Sequence, residues 1–152
     1  WAVLGIVAGL EFTAAGAAFL WSNRGKSRKN EEEKLITIGA VNDFKPGTVT
    51  AFRPGRLFIS RLEKGGFLAL SLKCTHLGCS VIWQEKEDQF ICPCHSSAFD
   101  KLGNVLNPPA NKALDIFPLT IANDQVVVNI TRPVKRDGFS DTQLIYPPQK
   151  NR

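Results

Sequence analysis

Two short segments hold every cysteine and histidine of the 152-residue chain. Residues 74–79 run Cys-Thr-His-Leu-Gly-Cys, and residues 92–97 run Cys-Pro-Cys-His-Ser-Ser. Together they offer more nitrogen and sulfur ligands than one zinc ion needs, because a tetrahedral zinc site takes about four. A [2Fe–2S] centre in which two histidines replace two cysteines on one iron also takes four ligands, and it leaves two cysteines free to form a disulfide. That second arrangement uses all of these residues.

The two segments, separated by residues 80–91, also match a known family in residue type, order and spacing. Cys-Thr-His-Leu-Gly-Cys followed by Cys-Pro-Cys-His-x-Ser resembles the Rieske iron–sulfur protein of cytochrome bc-type quinol-oxidising complexes. The resemblance extends in pattern over residues 35–131 and is most specific in residues 74–110. It implies a Rieske-type [2Fe–2S] cluster, with one iron bound by two cysteines and the other by two histidines: Cys74, Cys92, His76 and His95.

The resemblance also implies roles for the residues around these ligands. Cys79 and Cys94 would form a disulfide that ties the two segments together. Ser97 corresponds to a serine whose hydroxyl group hydrogen-bonds a bridging sulfide and raises the reduction potential. Leu77 is expected to form an apolar lip around the exposed histidines, and both Leu77 and Gly78 are counted as cofactor-binding residues.

Three positions near the second segment bear on how the cluster is tuned and covered. Ser96 stands where the family usually has glycine, although the backbone must still turn close to the cluster. Phe99 replaces a tyrosine whose hydroxyl group hydrogen-bonds a ligand sulfur in high-potential members, so we expect a lower potential and a quinol such as menaquinol. Residues 107–110, Asn-Pro-Pro-Ala, resemble the proline loop that shields the cluster, and adjacent prolines make a stiff cover.

Histidine ligands predict both the potential and the chemistry of the centre. Two imidazoles in place of two thiolates make the cluster less negative, which moves the potential to roughly −150 to +300 mV from about −400 mV for an all-cysteine plant-type centre. A centre in that range can take electrons from a quinol. Each histidine keeps one ring nitrogen free to exchange a proton, so electron and proton uptake are coupled.

Other metal sites and other Rieske proteins explain the residues less well. A structural zinc site gives the surplus cysteine pair no role, and two structural disulfides would leave both histidines as coincidences. Soluble Rieske ferredoxins and the Rieske domains of ring-hydroxylating oxygenases share the four ligands, but they lack the extra cysteine pair.

An apolar segment precedes the cysteine-containing region. Residues 1–21 contain one charged side chain, Glu11, and no proline, and as a helix they would span roughly 30 Å, the thickness of a bilayer core. We therefore predict a single transmembrane anchor with tryptophan at both ends. Residues 22–34 are rich in charge and predict a flexible tether. The basic residues after the helix favour a cytoplasmic head, but a stable disulfide favours the periplasmic side of a bacterial membrane, which we prefer.

The remaining pattern predicts an all-β head, residues 35–131, with a cluster-binding subdomain at about 74–118 and a C-terminal extension, residues 132–152, without strands. Short apolar runs alternate with Gly/Pro turns, as expected for antiparallel strands. The predicted strands are 35–38, 48–52, 56–61, 67–72, 81–83, 89–92, 114–116, 119–122 and 126–130.

The resemblance implies the iron–sulfur subunit of a bacterial quinol:cytochrome c-type oxidoreductase, within a dimeric multi-subunit complex. Its expected partners are quinol at His95, a cytochrome b subunit, a c-type cytochrome acceptor and membrane lipid. The formal charge of +5 suits an acidic acceptor or anionic lipid, and no nucleic-acid module is present. Alternatives are an anchored Rieske relay subunit of another enzyme, such as arsenite oxidase, and a zinc-stabilised membrane interaction module.

Overall fold

A computed structural model describes residues 1–24 and 32–148 of the chain. These residues fall into two compact units, Trp1–Glu32 and Glu33–Arg152. The predicted tether, residues 22–34, lies largely outside the described residues, as does the end of the C-terminal extension, residues 149–152. The predicted domain boundaries stay predictions.

The described residues of the first unit form one helix, α1, Ala2–Arg24. The segment predicted to be helical is therefore helical, and its glycine and alanine residues are compatible with that conformation although glycine is a weak helix former. Among the described residues, no helix is long and apolar enough to cross a membrane. The transmembrane part of the fold prediction is thus not confirmed.

In the part of the second unit that the structure describes, the strands form three antiparallel sheets, and the prediction of an all-β head is confirmed. The first sheet has the order β1-β11-β10, the second β2-β3-β4-β9 and the third β5-β6-β7-β8. In chain order the strands are β1 Leu35–Ala40, β2 Val49–Phe52, β3 Leu57–Arg61, β4 Phe67–Ser71, β5 Ile82–Gln84, β6 Gln89–Ile91, β7 Ala98–Asp100, β8 Val105–Asn107, β9 Ile116–Phe117, β10 Leu119–Ala122 and β11 Gln125–Asn129.

The second sheet separates two hydrophobic cores, which explains its almost uninterrupted apolar sequence. Side chains of a strand alternate between faces. On β3, Leu57 and Ile59 pack into the core shared with the first sheet, whereas Phe58 packs on the opposite face. On β4, Phe67 belongs to the first core and Leu68 to the second. The second core, called the upper core below, also contains Cys74 and Cys92, so the cluster-binding segments are anchored in it.

Two strands, β7 and β8, were absent from the sequence prediction. Each has three residues, two apolar ones followed by a polar one, and therefore shows no apolar–polar alternation. A local turn joins them: the Asp100 carboxylate accepts hydrogen bonds from the backbone N–H groups of Leu102 and Asn104. Gly103 in this turn has φ +80°, a conformation that suits glycine. Each strand that was predicted corresponds to an observed strand, with ends shifted by a few residues.

The C-terminal extension packs along the head. The backbone of Val134 pairs with Ile116, and that of Ile145 pairs with Phe67, while a short 3-10 helix covers Asp141–Gln143. Within the described part of the extension no strand forms, as predicted. Arg136 is its buried anchor, being only 7% exposed.

Replacing Arg136 with methionine should lower the free energy of unfolding by about 3 kcal/mol, because buried carbonyl groups lose their donor. The Arg136 guanidinium donates to the carbonyl oxygens of Leu114 (2.7 Å) and Leu102 and to the side chain of Gln143 (2.6 Å). Chemical denaturation of the variant measures the loss. The matched control is Arg53→Met at an exposed arginine, which should change stability by under about 0.5 kcal/mol. Equal effects of both changes would contradict the anchoring role.

Candidate functional site

The two cysteine- and histidine-containing segments fold into loops with the same backbone hydrogen bonds. In loop 1, residues 74–79, the Cys74 N–H donates to the Cys79 carbonyl (2.8 Å) and the Gly78 N–H donates to the Cys74 carbonyl (2.9 Å). In loop 2, residues 92–97, the Cys92 N–H donates to the Ser97 carbonyl (2.8 Å) and the Ser96 N–H to the Cys92 carbonyl (3.0 Å). The two loops therefore have equivalent backbone hydrogen bonds and each starts with a cysteine, whereas the histidine is the third residue of loop 1 and the fourth residue of loop 2.

The fifth position of each loop lies in the left-handed region of backbone conformation. Gly78 has φ +81° and Ser96 has φ +62°. Glycine adopts this conformation without strain, whereas serine is disfavoured there by its Cβ atom. The backbone therefore turns at Ser96 as expected, although the residue is not glycine. Loop 2 keeps the same hydrogen bonds as loop 1.

The first position of each loop holds a free, buried cysteine. Cys74 is 2% exposed and Cys92 is 1% exposed. Burial raises the pKa of the Cys74 thiol, and its contact with Cys92 adds to this rise, whereas hydrogen bonds from the His76 backbone and Ser97 oppose it. Two free thiols therefore lie together in an apolar environment.

The two histidines, one in the middle of each loop, lie next to each other. Their ring centroids are 5.0 Å apart, and the ring planes are nearly perpendicular at 87°. His95 is exposed and His76 is half-buried. Beside them Leu77 is 71% exposed, as an apolar lip around the histidines requires. The structure thus brings together both imidazoles that the sequence singled out, at a surface where a second molecule can reach them.

A disulfide between Cys79 and Cys94 joins the two loops, with the Cα atoms 6.6 Å apart. The predicted pairing is confirmed. The sulfur atoms of Cys79, Cys94 and Cys92 lie within 4.8 Å of one another, a spacing that could suit a metal ion. Because thiolates rather than disulfide sulfurs bind metal ions, this trio offers one usable sulfur ligand while the disulfide is intact.

The proline segment contacts loop 2 directly. The Asn107 side chain donates to the Ser96 carbonyl (2.9 Å), and the Ala110 N–H donates to the Ser97 hydroxyl oxygen (3.0 Å). Pro108 and Pro109 between them are exposed. The segment therefore packs beside the second loop, where the sequence predicted a cover. The hydrogen bond from Asn107 to Ser96 was not predicted, because only the folded chain brings these two residues together.

Ser97 and Phe99 are both fully buried. The hydroxyl oxygen of Ser97 accepts from Ala110, which leaves its O–H free to donate, and Ser97 also interacts with Cys74. Phe99 packs in the upper core together with Cys74 and Cys92. Both residues are thus close to the free cysteines, in keeping with roles in tuning a bound cofactor.

The donor set fits a Rieske-type cluster. Two free buried thiols in contact and two neighbouring imidazoles match the mixed cysteine and histidine ligation that distinguishes this centre from an all-cysteine one. The disulfide holds the loops together independently of any metal. When bound, such a cluster supplies a one-electron redox centre.

Comparisons with known proteins agree with this chemistry. The Rieske [2Fe-2S] domain family matches residues 34–118, more than half of the chain. The cytochrome b6-f complex iron-sulfur subunit of Chlorobaculum thiosulfatiphilum is 30% identical over 104 residues, which cover 68% of this chain and 58% of that protein. The corresponding subunit of Synechococcus sp. (strain CC9605) is 36% identical over 114 residues, covering 71% and 64%.

A solved structure is similar as well. The cyanobacterial plasma membrane Rieske protein from Synechocystis PCC 6803 superposes with a TM-score of 0.51 at 27% identity, over 62% of this chain and 98% of that one. The chain spans less than two thirds of the length of the b6-f subunits described above. By the family match over residues 34–118, the chain belongs to the Rieske [2Fe-2S] domain family, and its cofactor is the Rieske-type [2Fe–2S] cluster.

Proposed function

We propose that Cys74 and Cys92 bind one iron of the cluster and that His76 and His95 bind the other. One observation carries this assignment: two equivalent loops bring two free buried thiols and two adjacent imidazoles together, while the other two cysteines are joined in a disulfide. Leu77 and Gly78 in loop 1 and Ser97 in loop 2 would complete the cofactor environment.

The function that this site supports best is that of the iron–sulfur subunit of a quinol-oxidising cytochrome bc-type complex. The similarity to iron-sulfur subunits of cytochrome b6-f complexes supports this assignment. The chain would accept one electron and one proton from quinol and pass the electron to a c-type cytochrome. The second electron of the quinol would go to a cytochrome b subunit, and the second proton to water.

His95 is the residue that we propose to face the quinol. Its exposed imidazole can accept a hydrogen bond from a quinol hydroxyl group at the ring nitrogen that does not bind iron. The proton can then move to that nitrogen as the quinol is oxidised. Leu77 and the exposed prolines at 108 and 109 would exclude water from this contact.

Purification of the chain from its native membrane tests the assignment. Co-purification with a di-haem cytochrome b and quinol-dependent reduction of the cluster are expected. Co-purification with a molybdenum-containing large subunit, without a cytochrome b, would instead identify an electron-relay subunit and contradict quinol oxidation.

Membrane attachment on the periplasmic side belongs to the same proposal. The sequence of residues 1–21 and the similarity to a plasma membrane Rieske protein support it. We expect carbonate-washed membranes to retain the chain and protease added to intact spheroplasts to remove its head. Release by carbonate, or protection from protease, would contradict the attachment or its orientation.

A low-potential quinol such as menaquinol is the substrate that we propose, because Phe99 offers no hydroxyl group to a ligand sulfur. Phe99→Tyr should therefore raise the midpoint potential. If the new hydrogen bond is about 1 kcal/mol stronger in the reduced state, the rise is roughly 40 mV. Redox titration of the purified chain measures it. Phe44→Tyr, at a buried ring of the other core, is the matched control and should leave the potential unchanged. An unaltered or lower potential in Phe99→Tyr would contradict the tuning.

A further inference from the structure

A cleft of about 300 Å³ lies beside loop 1, on the side of His76. Three lysines line it together with one carboxylate: Lys73, Lys112, Lys135 and Asp115. This cleft was not predicted, because the lysines come from three separate segments of the chain. We call it the lysine cleft.

Contacts near each lysine place all three lysines around the same cavity of the folded chain. Lys73 directly precedes Cys74, and its side chain packs against Gly78. A Cβ atom added to Gly78 would lie 2.8 Å from the Lys73 Cε atom. The carbonyl group of Lys112 accepts a hydrogen bond from the Thr75 hydroxyl group of loop 1 (2.6 Å). Lys135 follows Val134, whose backbone pairs with the residue next to Asp115.

Positive charge exceeds negative charge in the cleft. Burial raises the pKa of the Asp115 carboxyl group, and Lys135, Lys73, Arg136 and Lys112 all oppose that rise, which means that these cations lie near one carboxylate. The Lys112 ammonium also forms an ion pair with Asp137 (3.0 Å), but both side chains are largely exposed, so water and salt screen the pair. All three lysines are exposed to an approaching partner.

The two sides of the cluster-binding tip therefore differ in charge. In the loop that carries His95 and in the proline segment beside it, residues 93–97 and 107–110 contain no lysine, arginine, aspartate or glutamate, which suits an uncharged quinol. Around His76, the lysine cleft presents several ammonium groups. A cationic hollow beside a redox centre attracts an anionic partner and orients it with its own redox group near the cluster.

We propose that the lysine cleft docks an acidic surface of the c-type cytochrome that oxidises this chain. This inference rests on the proposed function, since it concerns the delivery of the electron. A concave site on the head, next to a predicted cluster ligand, fits a protruding acidic side chain of a redox partner better than it fits a flat lipid surface. In the transfer, the reduced chain loses one electron, the ferric haem becomes ferrous, and the proton held on a histidine returns to water.

The experiment uses the full chain with its cluster, reduced and mixed with an acidic soluble c-type cytochrome. The variant is Lys112→Gln combined with Lys135→Gln. The control is Lys64→Gln combined with Lys86→Gln, which removes the same charge from exposed lysines in the turns after β3 and β5. These turns lie at the strand ends away from the cluster-binding loops. Oxidation by a small uncharged oxidant and the midpoint potential are measured for each protein.

We expect the cleft variant to react roughly tenfold more slowly with the acidic cytochrome at low ionic strength, and the control to keep at least half of the unmodified rate. The difference should vanish in about 0.5 M salt, where charges are screened within a few ångströms. Lys112→Glu combined with Lys135→Glu should reverse the preference and react faster with a basic cytochrome. The rate with the uncharged oxidant should be the same in all proteins.

Equal rates for the cleft variant and the control would overturn the docking site. So would a loss that is equally large with the uncharged oxidant, because that pattern indicates a changed potential. Failure of the unmodified chain to reduce any c-type cytochrome would instead contradict the proposed function itself. A cleft that binds only small anions, with phosphate competing but no change in cytochrome kinetics, would also refute the inference.

Discussion

His95→Ala is expected to abolish the cluster. One iron would keep a single histidine ligand, and alanine offers no replacement donor at the exposed end of loop 2. The purified variant should have lost its visible absorbance and the EPR signal of the reduced state, with iron and labile sulfide below about a tenth of the unmodified level. Because the loops are also tied by Cys79–Cys94, the head itself should stay folded.

The matched control for this change is Ser96→Gly at the adjacent residue. Glycine relieves the left-handed conformation of Ser96 and removes no ligand, so the variant should keep its full EPR signal. A His95→Ala protein that retains a normal signal would refute the role of His95 as a ligand. His76→Ala should behave in the same way as His95→Ala, because the two rings lie side by side.

Cys79→Ser is expected to produce the second large effect. The disulfide joins two cysteines that are 15 positions apart in the sequence, and breaking it costs about 3 kcal/mol in the chain-entropy description. For a head of this size such a loss corresponds to a fall of roughly 10 °C in Tm. Thermal bleaching of the cluster, followed by its visible absorbance, measures the change.

The partner variants distinguish loss of the bond from damage caused by the free thiol. Cys94→Ser and the double variant Cys79→Ser/Cys94→Ser should each match the single change, because all three lack the same bond. A double variant with the Tm of the unmodified chain would mean that the disulfide does not stabilise the cluster-binding loops.

The residues that the structure brings together at the candidate site were predictable from the sequence, whereas their roles as ligands come from the family resemblance and stay predictions. Cysteine and histidine in each loop lie within a few positions of one another, and the disulfide partner follows from the family resemblance. Strands β3 and β4 were also predictable, since each contains an apolar run that is long enough to be recognised.

Features built from distant segments were not predictable. Arg136 donates to Leu114 and Leu102, which only the folded chain brings to it. The lysine cleft depends in the same way on Lys73, Lys112 and Lys135 meeting around one cavity. The short strands β7 and β8 depend on pairing within the third sheet, where β7 pairs with β6 and β8 pairs with β7, and such pairing cannot be seen in the local sequence.

A redox titration of the purified chain across pH tests the central claim most directly. We predict a one-electron centre, visible by EPR when reduced, whose midpoint potential is constant at low pH and falls by about 59 mV per pH unit once a histidine of the oxidised form loses its proton. That slope would show that electron and proton are taken up together at the imidazoles. A chain that gives no EPR signal on reduction, or a potential that stays constant across the whole pH range, would contradict the account.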